Sequence, residues 1–142
     1  MIALLDINML IALFDAAHVH HRSAHAWLEK ESVSRLGHMS IGQNGCIRVM
    51  SQLQYPGRLP VREVARRLAA AVDAAEHTFW SDSISICESR RFKLDHLLTS
   101  KALTDVYLLG LAKKRSGRLV TFDRTISLAA VTGAQAEHLL IL

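Results

Sequence analysis

The chain has 142 residues, half of them hydrophobic and 21% charged, a balance that fits one folded domain with a sizeable core and excludes a disordered chain. No apolar run approaches the ~20 residues that span a bilayer, and Asp6 and Asn8 interrupt the apolar N-terminus without a basic flank or small-residue cleavage site, against a secretory signal. The net charge of +4 and pI of about 9.4 make a polyanion the partner to consider.

Residues 2–6 read as a buried strand closed by Asp6, followed by a helix over about 8–15. His18 to Lys30 is a second helix, with Ala24, Trp27 and Leu28 as its apolar stripe. Ser34 to Ser40 holds a loop and a short strand. Ser40 then caps a helix over about 41–54, which Tyr55-Pro56-Gly57 ends. Pro60 starts a helix to about residue 73, in which Val61, Val64, Ala65, Leu68, Ala69 and Val72 recur at helical spacing. Phe79-Trp80 and then Ile84-Ser85-Ile86 give a short strand region. Ser100 opens a helix to about Arg115 that Ser116-Gly117 stops. Leu119 to Phe122 is a strand closed by Asp123, Thr125 to Val131 a short helix, and Leu139 to Leu142 a last strand. Apolar strands alternating with helices predict an α/β fold with a mostly parallel, two-sided sheet, in one domain over residues 1–142.

Three aspartates sit where an apolar segment disfavours them. Asp6 and Asp123 each close a strand, and in open sheets ligands bind beyond the carboxyl ends of the strands. Asp105 shares a helix face with Leu108, Leu109 and Ala112. Each has a plain structural alternative: Asp6 and Asp123 as helix caps or turn formers, Asp105 as a first-turn acid facing the helix dipole. Ionised carboxylates are costly to bury unless paired or metal-bound, so the three together predict one acidic pocket and divalent-metal chemistry. Gln43 also points inward, on a face with Cys46, Ile47 and Met50. Its alternative role is a capping box with Ser40.

Other residues carry less. His18, His20, His21 and His25 form a cluster without the carboxylate or cysteine partner of a zinc pattern, and read as a half-exposed helix start. Cys46 and Cys87 lack metal-site spacing and read as reduced core residues of a cytosolic protein. No nucleophile elbow or Gly-rich phosphate loop is present. The basic clusters Arg62/Arg66/Arg67, Arg90/Arg91/Lys93 and Lys113/Lys114/Arg115 with Arg118 suit a polyanion held against metal-activated water. Their alternative is ordinary solvated helix faces.

Leu4-Leu5-Asp6-Ile7-Asn8-Met9-Leu10-Ile11-Ala12-Leu13, His18 to Trp27, Gln43-Asn44-Gly45-Cys46-Ile47-Arg48-Val49, Leu103 to Leu109 and Leu119 to Arg124 together resemble PIN-domain proteins of the VapC type, in the expected order over essentially the whole chain. The resemblance implies an α/β/α sandwich on a short parallel sheet. It also implies a small cytoplasmic endoribonuclease, dependent on Mg²⁺ or Mn²⁺ and cutting structured RNA such as tRNA or rRNA. Such a protein is the toxin of a type II toxin–antitoxin pair, typically a homodimer held inactive by a VapB-type antitoxin. Asp6, Asp105 and Asp123 match three of the family's four acidic residues and act as metal ligands, with Asn8 matching its small polar residue. Lys101 or Arg124 assists phosphate placement. At the fourth acidic position the chain has Gln43, whose amide ligates a hard cation more weakly than a carboxylate and implies weaker occupancy of any second metal. Two other functions remain open on the sequence: a PIN fold that binds RNA or a partner without cutting, and a structure-directed DNA nuclease.

Overall fold

The computed structural model describes residues 1–30, 36–74, 77–97 and 99–142. Five short strands form one parallel sheet: β1 (Ala3–Leu5), β2 (Leu36–His38), β3 (His77–Phe79), β4 (Arg118–Thr121) and β5 (Leu139–Ile141). Their order is β3-β2-β1-β4-β5. The chain therefore builds outward from β1 in one direction, then returns to place β4 on the other side of β1. Leu5 lies opposite Val120 in that central pair. The crevice between β1 and β4 is the topological switch point, where α/β sheets bind ligands.

Strand side chains alternate between two cores, as the two-residue period of a pleated strand requires. Ala3, Leu5 and Val120 face α1 (Ile7–Phe14), α2 (His21–Lys30), α3 (Ser40–Met50) and α4 (Val61–Ala74). Leu4 and Leu119 face the opposite layer, built from α5 (Leu103–Lys114), Trp80 and Phe92. Two buried faces explain why the strands read as unbroken apolar runs, and the arrangement is the expected α/β/α sandwich. No helix among the described residues is long and apolar enough to cross a membrane.

Local chemistry sets the element ends, and in four places it differs from the sequence reading. Ser40 lies inside α3: the N-cap is Met39, without a side-chain capping bond, so the Ser40–Gln43 capping box does not form. The α3 helix stops at Met50 because the Ser51 N–H closes the last turn on Ile47 and a run of turns follows to Pro60. Ile84-Ser85-Ile86 is not a strand. It belongs to a looped segment where the Ser85 N–H is held by the Glu88 carboxylate at 2.9 Å, and both isoleucines pack under α5. Thr125 to Val131 contains only the single 3₁₀ turn Leu128–Ala130, pinned by a bridge between Val131 and Phe92. Cys46 is a core residue as expected, its thiol pushed up to about 11 by burial, whereas Cys87 is exposed. The segment expected from Ser34 falls partly outside the described residues; its strand is Leu36–His38.

The end of α5 shows how a glycine can be placed for space. Ser116, not Gly117, takes the left-handed conformation (φ 51°). The Ser116 N–H bonds the Lys113 carbonyl at 3.1 Å and the Gly117 N–H bonds that of Ala112 at 2.8 Å, the two closing bonds of a Schellman motif. Gly117 serves close approach: a Cβ there would lie 2.5 Å from the Trp80 ring and 2.8 Å from the Ile2 carbonyl oxygen. Ile2 accepts the N–H of Arg118 at 3.0 Å, so that oxygen cannot retreat without loosening β1 from β4. Gly117→Ala is therefore expected to destabilise by about 1–3 kcal/mol, the range for overpacking a filled site. A denaturant midpoint equal to wild type would show that the strand pair yields at no cost.

Candidate active site

Asp6 leaves β1 and starts α1. Its Oδ1 accepts the Met9 N–H at 2.6 Å as a helix N-cap. Its Oδ2 accepts the hydroxyl of Thr121, the last residue of β4. Thr121 is fully buried, and the same hydroxyl oxygen accepts the Asp123 N–H at 2.9 Å. One side chain thus ties the ends of the two central strands together. Asp123 is half-buried and folds back on its own turn, Oδ1 accepting the N–H and the hydroxyl of Thr125 at 2.7 Å each. The capping roles open to Asp6 and Asp123 on the sequence are thus realised, and they aim each carboxylate.

Asp105 sits in the first turn of α5, half-buried, with no hydrogen bond or ion pair to its carboxylate among the described residues. Burial drives its pKa up to about 6, and the charges of Asp6 and Asp123 push in the same direction. Asp6 is also raised, first by burial and then by Asp123, against the opposing hydrogen bonds from Thr121 and Met9. The structure therefore brings the three aspartates within electrostatic reach of one another, at the carboxyl ends of β1 and β4. No lysine or arginine neutralises them among the described residues.

The remaining candidates are placed differently. Asn8 is exposed on the first turn of α1, and its backbone N–H helps hold the Asp6 carboxylate. Gln43 lines a separate apolar cavity of about 230 Å³ with Leu5, Leu10, His38 and Leu68. Lys101 and Asp123 line one groove of about 720 Å³ together with His96 and Thr99, while Arg124 is exposed beside it in sequence. His21 and His25 donate to the carbonyls of Ala12 and Leu13 at 2.7 and 3.1 Å, closing the last turn of α1. The basic clusters are partly engaged: Arg66 and Arg67 pair with Glu63, and the Lys114 ammonium donates to the Ser83 carbonyl at 2.7 Å.

Thr121 was the residue that sequence reasoning missed. Its one signal is a hydroxyl within Leu119-Val120-Thr121-Phe122, because a buried hydroxyl must find a partner.

The donor set is one of hard carboxylate oxygens with uncompensated charge, which suits a divalent cation such as Mg²⁺ or Mn²⁺. Among the described residues no three His, Cys, Asp or Glu side chains converge closely enough to hold an ion by direct contact alone.

No family model matches the chain. Three proteins of Mycobacterium tuberculosis are similar to it over most of their length. Ribonuclease VapC44 is 43% identical over 137 residues, 96% of each chain. Ribonuclease VapC39 is 35% identical over 94% of this chain and 96% of the relative. Ribonuclease VapC38 is 30% identical over 85% and 84%.

The raised pKa of Asp105 has a thermodynamic consequence. Its folded-state pKa of about 6 lies above its ordinary value of 3.8, so its contribution to stability is present when protonated and lost as pH rises through about 6. In metal-free buffer, Asp105→Asn is expected to raise the melting temperature above pH 7, with the gain shrinking as pH falls toward 4. A variant less stable than wild type at neutral pH would show that this carboxylate is compensated.

Proposed function

This chain belongs to the VapC family of ribonucleases, and on that footing we propose that it is the toxin of a type II toxin–antitoxin pair, a Mg²⁺- or Mn²⁺-dependent endoribonuclease cutting structured RNA. The observation that carries the reading is the set of three mutually repelling aspartates at the switch point of the sheet. The same reading makes it a cytoplasmic homodimer neutralised by a VapB-type antitoxin.

Asp6, Asp105 and Asp123 would hold the cation, directly or through its waters. When bound, that ion supplies an activated water and offsets charge on the phosphoryl oxygens. Every other part of the mechanism belongs to this chain's own groups. Thr121 fixes the Asp6 carboxylate against rotation, because both of its oxygens are already committed to hydrogen bonds. The water oxygen attacks phosphorus, the bond to the 3′-oxygen breaks, and that oxygen leaves as a hydroxyl, giving a 5′-phosphate on the other product. Asp105 carries no hydrogen bond of its own and is the carboxylate freest to orient the attacking water. Lys101, on the wall of the groove that contains Asp123, would meet the substrate backbone, and Arg124, exposed and next to Asp123 in sequence, would assist it.

Gln43 changes role in this scheme. It lines the apolar cavity beside α4, with His38 and Leu68 on the same wall. The second reading, a module that binds without cutting, predicts no cleavage in the assay below.

Asp105→Asn is expected to reduce RNA cleavage by at least about a hundredfold while the protein still folds. EDTA should stop the wild type and Mn²⁺ should restore it. Cleavage that survives both the substitution and the chelator would overturn the metal mechanism. For Gln43→Glu, titration calorimetry with Mn²⁺ should give the wild-type affinity, and the melting temperature should fall because a carboxylate enters an apolar cavity. Tighter metal binding would return Gln43 to the metal centre.

A further inference from the structure

Phe122 is the first residue beyond β4, half-buried, and stands between Thr121 and Asp123 in the chain. The imidazole of His20 stacks on its ring, with centroids 4.2 Å apart and planes 12° from parallel. A stacked aromatic pair is attractive beyond the area it buries, and it restricts both rings. Phe122 also packs against the core beneath α1 to α4, so the stack joins the turn after β4 to the helical layer.

A series of local bonds delivers His20 to that ring. Asp15 ends α1, and its two carboxylate oxygens accept the Ala17 N–H at 2.9 Å and the Tyr55 hydroxyl. Its carbonyl accepts the His18 N–H at 3.0 Å. The Nδ1 of His18 in turn accepts the His20 N–H at 3.2 Å. A ring nitrogen accepts only when unprotonated, and burial holds the pKa of His18 below its ordinary value. On its other side, the His20 carbonyl accepts the Ala24 N–H of α2 at 2.9 Å. Whereas His21 and His25 close the last turn of α1, His20 is the member of the cluster that reaches across to the end of β4.

Asp123 is held from within its own turn, through the Thr121 hydroxyl and its bonds to Thr125. These bonds fix the carboxylate relative to residues 121–125, but they do not fix that turn relative to α2. Phe122 and Asp123 are consecutive, so a change of backbone angle at Phe122 swings Asp123 with it. Resting on the ribonuclease reading, we propose that His20 is a positioning residue of the metal centre: its stack on Phe122 sets the backbone from which Asp123 reaches the cation.

The test begins with the full chain free of metal. In His20→Ala, hydrogen exchange at the Asp123 amide, read by NMR, is expected to quicken about fivefold, the worth of one stacked pair. The Met9 amide, which bonds Asp6, should keep its rate. Titration calorimetry with Mn²⁺ should then show affinity weakened about fivefold in His20→Ala. His20→Phe, which keeps a ring, should restore both values, and His20→Gln, which does not, should behave as the alanine variant. In RNA cleavage the deficit of His20→Ala should shrink as Mn²⁺ is raised, with KM for RNA unchanged. His25→Ala, which loosens the end of α1, should lower the melting temperature and leave Mn²⁺ affinity at the wild-type value. Wild-type exchange and affinity in His20→Ala would overturn the positioning role. So would equal losses in His20→Phe or His25→Ala, which would assign the effect to general loosening. A wild-type protein that neither binds Mn²⁺ nor cuts RNA would instead sink the ribonuclease reading, while exchange at Asp123 still judges the stack.

Discussion

The hydroxyl of Thr121 is the point on which the centre of the molecule turns. It donates to Asp6 at the end of β1 and accepts from the backbone of Asp123 just beyond β4. These two strands are neighbours only because the chain reverses direction across β1, so the bond is made at the one crevice the topology opens. Asp6 uses its other oxygen to start α1. The carboxylate is therefore built into the packing of strand and helix, and its orientation cannot change without disturbing both. The two hydrogen bonds offset part of the cost of burying this carboxylate, which lies at 1% exposure with its pKa still raised by burial.

Asp105 has no such support, and the contrast divides the acidic centre into a fixed part and a strained part. Its burial and the two neighbouring charges all favour the neutral form. Hydrophobic packing on the two sheet faces has to offset that penalty in the absence of a cation. Such local conflict with stability is typical of functional positions, and here it falls on the residue whose helix is otherwise among the most buried in the protein.

The strands and the aspartates were legible for the same reason. A strand buried on both faces reads as an unbroken apolar run, so an acid at its end is conspicuous, as at Asp6 and Asp123. Features that depended on a tertiary partner were not legible. Ser40 matched a capping motif, but the chain enters α3 one residue earlier, at Met39, and the motif has no end to cap. Ile84 and Ile86 alternate like strand residues, yet both pack on the layer beneath α5, which a loop achieves as well as a strand. Thr121 looked like an ordinary β-former, since β-branched residues are favoured in strands whatever they bond. Gln43 has an inward helix face in the sequence, and the structure sets it half-buried on the wall of an apolar cavity, a neighbourhood the sequence does not show.

The overall positive charge needs the same separation of pattern from place. Much of it lies in clusters that bind the protein to itself: Glu63 gathers Arg66 and Arg67, Glu88 gathers Arg90 and Arg91, and Arg115 lies over the Trp80 ring at 5.8 Å. Exposed pairs of this kind contribute little stability and present little net field. Lys101 differs because it lines the groove that contains Asp123, and no acidic partner pairs with it among the described residues. A single cation next to a carboxylate that needs a cation of its own would be a poor arrangement for binding a metal ion alone. For a substrate carrying its own negative charge across that gap, it places attraction on one side and chemistry on the other. The basic pI reports on the whole surface, whereas Lys101 puts one cation, unpaired among the described residues, on the wall of the groove that contains Asp123.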